Sequence, residues 1–202
     1  MKEFTKVKAS ARAISRRRQV YGVGVNDAWY AISQTINGKS IKCNSYDRWK
    51  IMLARCYSKA WQAKKPTYEG CTVCNEWLSF SNFDAWFNEN YVEGYELDKD
   101  LKVKGNKMYS PETCLFVPSK INSLFSDCGS ARGKLPIGVT EPREGRYVAT
   151  VSIDGKGKKI GTFDTIGEAC KEYRKAKNIE VLRKCVQYPE FADLLKKRLI
   201  NA

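Results

Sequence analysis

LPIGVTEPREGRYVATVSIDGKGKKIGTFDTIGEACKEYRKAK, residues 135–177, is the stretch whose periodicity decides the fold. Tyr147, Ala149, Val151 and Ile153 alternate with Val148, Thr150 and Ser152, the pattern of a strand buried on one face. Residues 137–141 read as the strand before it, reached through a turn at Glu144-Gly145. Residues 159–163 read as the strand after it, reached through Asp154-Gly155-Lys156-Gly157. Thr165 and Glu168 then have the spacing of a capping box, and Ala169, Tyr173 and Ala176 recur at helical steps behind it. A period of two followed by a helical period predicts a three-stranded antiparallel sheet packed on one helix. A last helix over 189–200 carries Phe191, Leu194, Leu195 and Leu199 and is expected to fold back on this module.

Upstream, residues 126–134 are rich in Gly and Ser and read as a linker. Before them, Tyr46, Trp49, Met52, Leu53, Cys56 and Tyr57 recur at three- and four-residue steps, with Ser45 placed to cap a helix. Trp77, Phe80, Phe83, Trp86 and Phe87 describe a second, aromatic helix whose stripe is expected to be core. Residues 97–103 alternate as a strand, 104–107 are a turn signal, 114–117 make a second short strand, and Pro118 suits the first turn of a helix through Asn122 and Phe125. The class is therefore α+β: a helical layer with a ββα unit, then the sheet-and-helix module. The expected divisions are a basic arm over 1–20, a domain over 21–128 and a domain over 133–202.

The chain has 202 residues, with 36 Lys and Arg against 22 Asp and Glu, a net charge of +14. That surplus points to a polyanionic partner. It is concentrated at the ends. Residues 1–20 hold seven basic residues and one acidic, residues 129–202 hold 16 and nine, and the stretch between them is nearly neutral. Double-stranded DNA held from both ends is the expected partner. The arm, with Arg16, Arg17 and Arg18, has few large apolar residues and is expected to be disordered alone, to order on phosphates or to enter a minor groove. No apolar run approaches a membrane span and no signal peptide is visible, so a cytoplasmic setting is expected, with the eight cysteines reduced.

There is no histidine. Ser-His-Asp and Cys-His catalysis are excluded, and so are zinc sites with imidazole ligands. Cys71 and Cys74 have the spacing of a zinc knuckle, but no second pair matches them, so zinc is not expected.

Residues 95–125, YELDKDLKVKGNKMYSPETCLFVPSKINSLF, resemble the HNH endonuclease family, especially its phage-encoded members. The resemblance implies a ββα site that holds Mg2+ or Mn2+ and hydrolyses a phosphodiester. Asp98 then matches the acidic metal ligand and Asn122 the ligand on the helix, while Lys99 stands where the family has its His base and Thr113 where it has a loop Asn. Two of four positions thus depart from the pattern. If the strand holds its period, Asp98 and Asp100 share a face, Lys99 points away from both, and Asp100 becomes the candidate base. Two readings follow: a His-less, homing-type endonuclease, or a DNA-binding protein that keeps the nuclease fold as scaffold.

Residues 135–177 resemble the APETALA-two (ethylene-response-factor) DNA-binding domain. The resemblance rests on Gly138-Val139, on Arg146-Tyr147 with Ala149, on 161–165, and on Glu168-Ala169 with Tyr173 and Ala176. It implies that the outer sheet face enters the major groove. Arg143, Arg146, Lys156, Lys158 and Lys159 are then the candidate contacts, the arginines for guanine edges and the lysines for phosphates.

Overall fold

The structure, a computed structural model, describes residues 4–125 and 134–199. The expected linker, Cys128 and Ile200 lie outside the described residues. The chain divides into two compact units, Met1–Phe116 and Val117–Ala202. Both helices and strands are present, and the fold class is α+β.

The first unit is built on aromatic packing. Helices α1 (Ala11–Ser15), α2 (Asn44–Tyr57), α3 (Lys59–Lys64) and α4 (Phe80–Asn90) occur in order, and a short 3-10 turn at Asn75–Leu78 leads into α4. Trp49, Leu53, Trp77, Phe80 and Phe83 are essentially inaccessible, so the aromatic stripe is core, as its spacing predicts. Trp49 Nε1 donates to the Trp77 carbonyl at 2.6 Å, which satisfies its buried polar edge. Ser45 does not cap α2. The cap position falls on Cys43, and the Ser45 hydroxyl instead donates to buried Asp84 at 2.6 Å. Gly24 lies so close to Trp49 and Leu53 that any Cβ there would overlap both side chains.

Small strands complete this unit. β1 (Ser33–Ile36) and β2 (Lys39–Lys42) form a hairpin around Asn37-Gly38, both at positive φ. β3 (Thr72–Val73) pairs in parallel with β5 (Met108–Tyr109), and β4 (Tyr95–Asp98) pairs with β6 (Leu115–Pro118).

The second unit follows the predicted order. After α5 (Ser119–Asn122) come β7 (Val139–Arg143), β8 (Arg146–Ile153) and β9 (Lys156–Phe163), paired antiparallel in that order, then the long helix α6 (Ile166–Gln187) and the short α7 (Ala192–Lys196). The turn into β9 is only Asp154-Gly155, both at positive φ, so the third strand starts at Lys156. Thr165 caps α6, accepting from Glu168 N at 3.2 Å and donating to the Glu168 carboxylate at 3.0 Å. Val139, Ala149, Val151, Ala169 and Tyr173 form the core between sheet and helix. Phe191 and Leu195 are buried near the end of the chain.

Gly138 is required twice over. Its φ is +77°, and a Cβ there would fall into the Tyr173 ring. Gly138→Ala should therefore destabilise the second unit by about 3 kcal/mol, combining left-handed strain with overpacking. A urea titration reads this directly, and an unchanged midpoint would contradict the packing.

An ionic cluster ties the β8–β9 turn to α6. Lys184, 1% exposed, donates to Asp154 at 2.5 Å and to Gln187 at 2.9 Å, and lies 3.6 Å from Glu180. Arg183 spans Glu180 at 2.7 Å and Asp154 at 2.6 Å. These hydrogen bonds, Lys184 first, hold the Asp154 carboxyl down at about 2. A depressed carboxyl stabilises the fold above its unfolded value of about 3.9, and that stability is lost as pH falls towards the folded value. Acid unfolding should accordingly begin below about pH 4 and be steeper than in Asp154→Asn, as followed by circular dichroism.

Candidate nucleic-acid interface

Register divides the basic residues of the sheet. Directly paired residues on antiparallel strands share a face. Tyr147↔Phe163, Ala149↔Gly161 and Val151↔Lys158 place one set towards α6. Val148↔Thr162, Thr150↔Lys159 and Thr140↔Val148 place the other set outward. A bulge between Ala149 and Thr150 lets Ile160 turn into the core while Lys159 stays out. The outer face thus carries Thr140, Thr150, Ser152, Thr162 and Lys159, with Arg143 and Arg146 paired at the hairpin end. Lys156 and Lys158 pair with Ile153 and Val151 and stand, exposed, on the helix side of the edge strand.

The two arginines are not equivalent. Arg146 is ion-paired to Asp164, which anchors one side of its guanidinium, whereas Arg143 is exposed at the end of β7. Of the acids beside this face, Glu141 accepts from Gly145 N at 3.0 Å and Asp164 is held by Arg146, while Glu144 is exposed in the hairpin turn. The face therefore presents cations and hydroxyls around Val148. The outward threonines are legible in the alternation of β8, and they add hydrogen-bonding capacity that charge alone does not reveal.

Residues 4–20 of the basic arm are held in the fold, contrary to the expected disorder. Ala9 N donates to Trp29 O at 3.0 Å, and Ala31 N donates to Val7 O at 2.9 Å. Lys6 pairs with buried Asp84 at 2.7 Å. Arg17 donates to three backbone carbonyls, those of Asn26, Ala28 and Tyr30, at 3.0, 2.5 and 2.9 Å. The physical reason is that residues 26–30 offer a row of carbonyls, and a guanidinium fork satisfies them as a neighbouring strand would. Arg17 is thereby a structural residue, while Arg16 and Arg18 on either side are exposed.

The stretch matched to the ββα site is arranged differently from the expectation. β4 ends at Asp98, so residues 99–103 do not continue the strand. Asp98 Oδ1 accepts from the backbone N of Asp100 at 2.9 Å and of Leu101 at 2.6 Å, a side-chain turn that competes with the ladder. Alternation no longer governs Lys99. It does not point away from Asp100 but donates to both its carboxylate oxygens at 2.7 and 2.8 Å and to Asn106 O at 2.6 Å, and it is 6% exposed. Asn106 Nδ2 returns a bond to Lys99 O at 2.9 Å, closing the loop. Thr113 donates to Met108 O at 2.9 Å. Burial raises the Asp98 carboxyl above its ordinary value, against the backbone bonds that lower it. Asn122 ends α5 in the second unit.

This donor set does not fit Mg2+ or Mn2+. A hard cation needs several free oxygens. One Asp98 oxygen already serves two amides, and both Asp100 oxygens face an ammonium that supplies the compensating charge. Lys99 is equally unsuited as a base, since its side-chain nitrogen already donates to both Asp100 oxygens and to the Asn106 carbonyl. The seven described cysteines are free thiols, with Cys71 buried and Cys74 partly so.

Lys99→Ala should lower stability by about 2–3 kcal/mol, because it removes a buried donor that bonds Asp100 and the Asn106 carbonyl. It should leave DNA affinity unchanged. A melting curve paired with a binding isotherm separates this structural role from a functional one. No helix among the described residues is long and apolar enough to cross a membrane. Comparison with known proteins finds no matching family model, no matching curated protein and no matching solved structure.

Proposed function

We propose that the protein binds double-stranded DNA through the outer face of its three-stranded sheet, and that the ββα-like stretch is a structural frame. The observation that carries this reading is the outward set of Arg143, Arg146 and Lys159 among Thr140, Thr150 and Thr162, with Glu141 and Asp164 already engaged. Arginine side chains suit guanine edges and a lysine suits a phosphate, while hydroxyls serve either. The resemblance to the APETALA-two domain supports the same face, and the net charge of +14 supports a polyanion. Lys156 and Lys158, on the other side of the edge strand, are left to phosphate contacts. A DNA-binding role implies a cytoplasmic setting, that of the host cell for a phage-encoded chain.

The other reading, metal-dependent cleavage by a His-less endonuclease, needs Asp98, Asp100 and Lys99 to leave their present bonds. The frame reading therefore stands ahead of it. Two measurements on the full chain test the proposal. Fluorescence anisotropy with a labelled duplex should show binding that weakens steeply with salt, as phosphate contacts release counterions. Supercoiled plasmid incubated with Mg2+ or Mn2+ should remain intact. Nicking that disappears in Asp98→Ala would restore the nuclease reading, and no duplex binding at low salt would remove both.

A further inference from the structure

Trp29 is 59% exposed, whereas Trp49 and Trp77 are almost wholly buried. A single exposed apolar side chain needs no explanation by itself, but Trp29 is distinguished by its setting. The indole is carried on a rigid support. Its carbonyl accepts from Ala9 N at 3.0 Å, Lys8 bridges Tyr30 across the antiparallel pair, and the Arg17 fork clamps the carbonyls of Ala28 and Tyr30 from its own side chain. The ring stands edge-on to the buried Tyr30, with centroids 5.5 Å apart. Val7, diagonal to Trp29 across the pair, is 56% exposed and widens the apolar tip.

The surroundings choose the occupant. Lys8, Arg12, Arg16 and Arg18 are all exposed. Residues 4–26 contain no acid, and Asp27 is taken up by Ser79 and Ser81. An open indole just after a segment rich in exposed cations matches the pairing of bases and phosphates in a nucleic acid. Aromatic platforms among basic side chains stack on bases, and apolar wedges inserted at a base step kink duplex DNA.

We infer that Trp29 is a second DNA contact, a wedge that stacks on a base at one unstacked step of the bound duplex, with Arg12, Arg16 and Arg18 on the neighbouring phosphates. This inference rests on the DNA-binding reading above. The N-terminal charge then holds the backbone on both sides of a distorted step, while the sheet reads sequence.

The test uses the full chain and a duplex selected from a random pool by the wild-type protein, with 2-aminopurine placed in turn at each position. Wild-type binding should raise 2-aminopurine emission at one step. Trp29→Ala should abolish that rise and weaken binding roughly tenfold. Trp29→Phe should keep most of both, and neither variant should change the melting curve, since the indole is exposed. If Trp29→Ala retains the emission rise and the affinity while Arg146→Ala weakens binding, the wedge is overturned and the DNA-binding reading stands. If the wild type binds no duplex, both fall. If single-stranded RNA displaces the duplex at lower concentration than unlabelled duplex does, the occupant assigned to Trp29 is wrong.

Discussion

The Arg143→Ala, Arg146→Ala, Lys159→Ala triple variant is expected to lose duplex affinity by about a thousandfold. Each contact is worth roughly 1–3 kcal/mol, and three on one face compound. The salt dependence should flatten as well, by close to one unit of log-log slope for each phosphate contact removed. Folding should be unaffected, because the core side of the sheet is formed by Tyr147, Ala149 and Val151, which the variant leaves in place. Arg146→Ala alone should relax sequence preference, since Asp164 holds that guanidinium in one orientation and a fixed fork discriminates between bases. Anisotropy titrations over a salt series measure the loss. An affinity within threefold of wild type would place the DNA-binding face elsewhere.

The largest stability effect outside the glycines is expected at Lys184. Lys184→Ala should cost about 3–5 kcal/mol, because it strands Glu180, 3% exposed, with only the partly exposed Arg183 to compensate it. It also cuts one of the two bonds from α6 to Asp154 in the β8–β9 turn, leaving that of Arg183. The turn sits at the end of the strands that form the proposed reading face, so duplex affinity should fall with stability. Adding Glu180→Gln to Lys184→Met should recover much of the loss by removing the stranded charge. Thermal and urea unfolding check both variants. A melting temperature unchanged in Lys184→Ala would show that the cluster contributes nothing net.

These two sites differ in how far the sequence announces them. The outer sheet face follows from period-two alternation, because a strand that buries Ala149 and Val151 must turn Val148, Thr150 and Ser152 outward. The bulge after Ala149 is not legible, and it decides that Lys159 faces out while Lys158 does not. Its cause lies in the pairing of two strands rather than in either one. The Lys184 cluster gives no sequence signal. A lysine on a helix is ordinarily solvated, and only the folding of the Asp154 turn over it makes it a buried partner.

The same distinction explains where expectation and structure part. Alternation predicts a strand over 97–103, but Asp98 closes a side-chain turn that outcompetes the ladder. Lys99 then reaches Asp100 instead of pointing away. Composition predicts a free arm over 1–20. Lys6 and Arg17 find partners 78 and nine to 13 residues away, which composition cannot register. The β1–β2 hairpin is a different case, because Asn37-Gly38 is a strong short-range turn signal that the local sequence does announce.

From the sequence by itself came the α+β class, the aromatic helix stripe as core, the three strands and capped helix of the second unit, and the positive charge. All but the charge rest on interactions between residues two to four positions apart, which a linear pattern encodes. Tertiary structure alone decided which cations are spent inside the molecule. Lys6, Arg17, Lys99 and Lys184 are held by carboxylates and carbonyls, and Lys177 by the carbonyl of Leu124. Arg143, Lys159, Arg16 and Arg18 are left outward. Charge is a property of a residue, but its availability to a partner depends on what the fold brings within hydrogen-bonding distance of it.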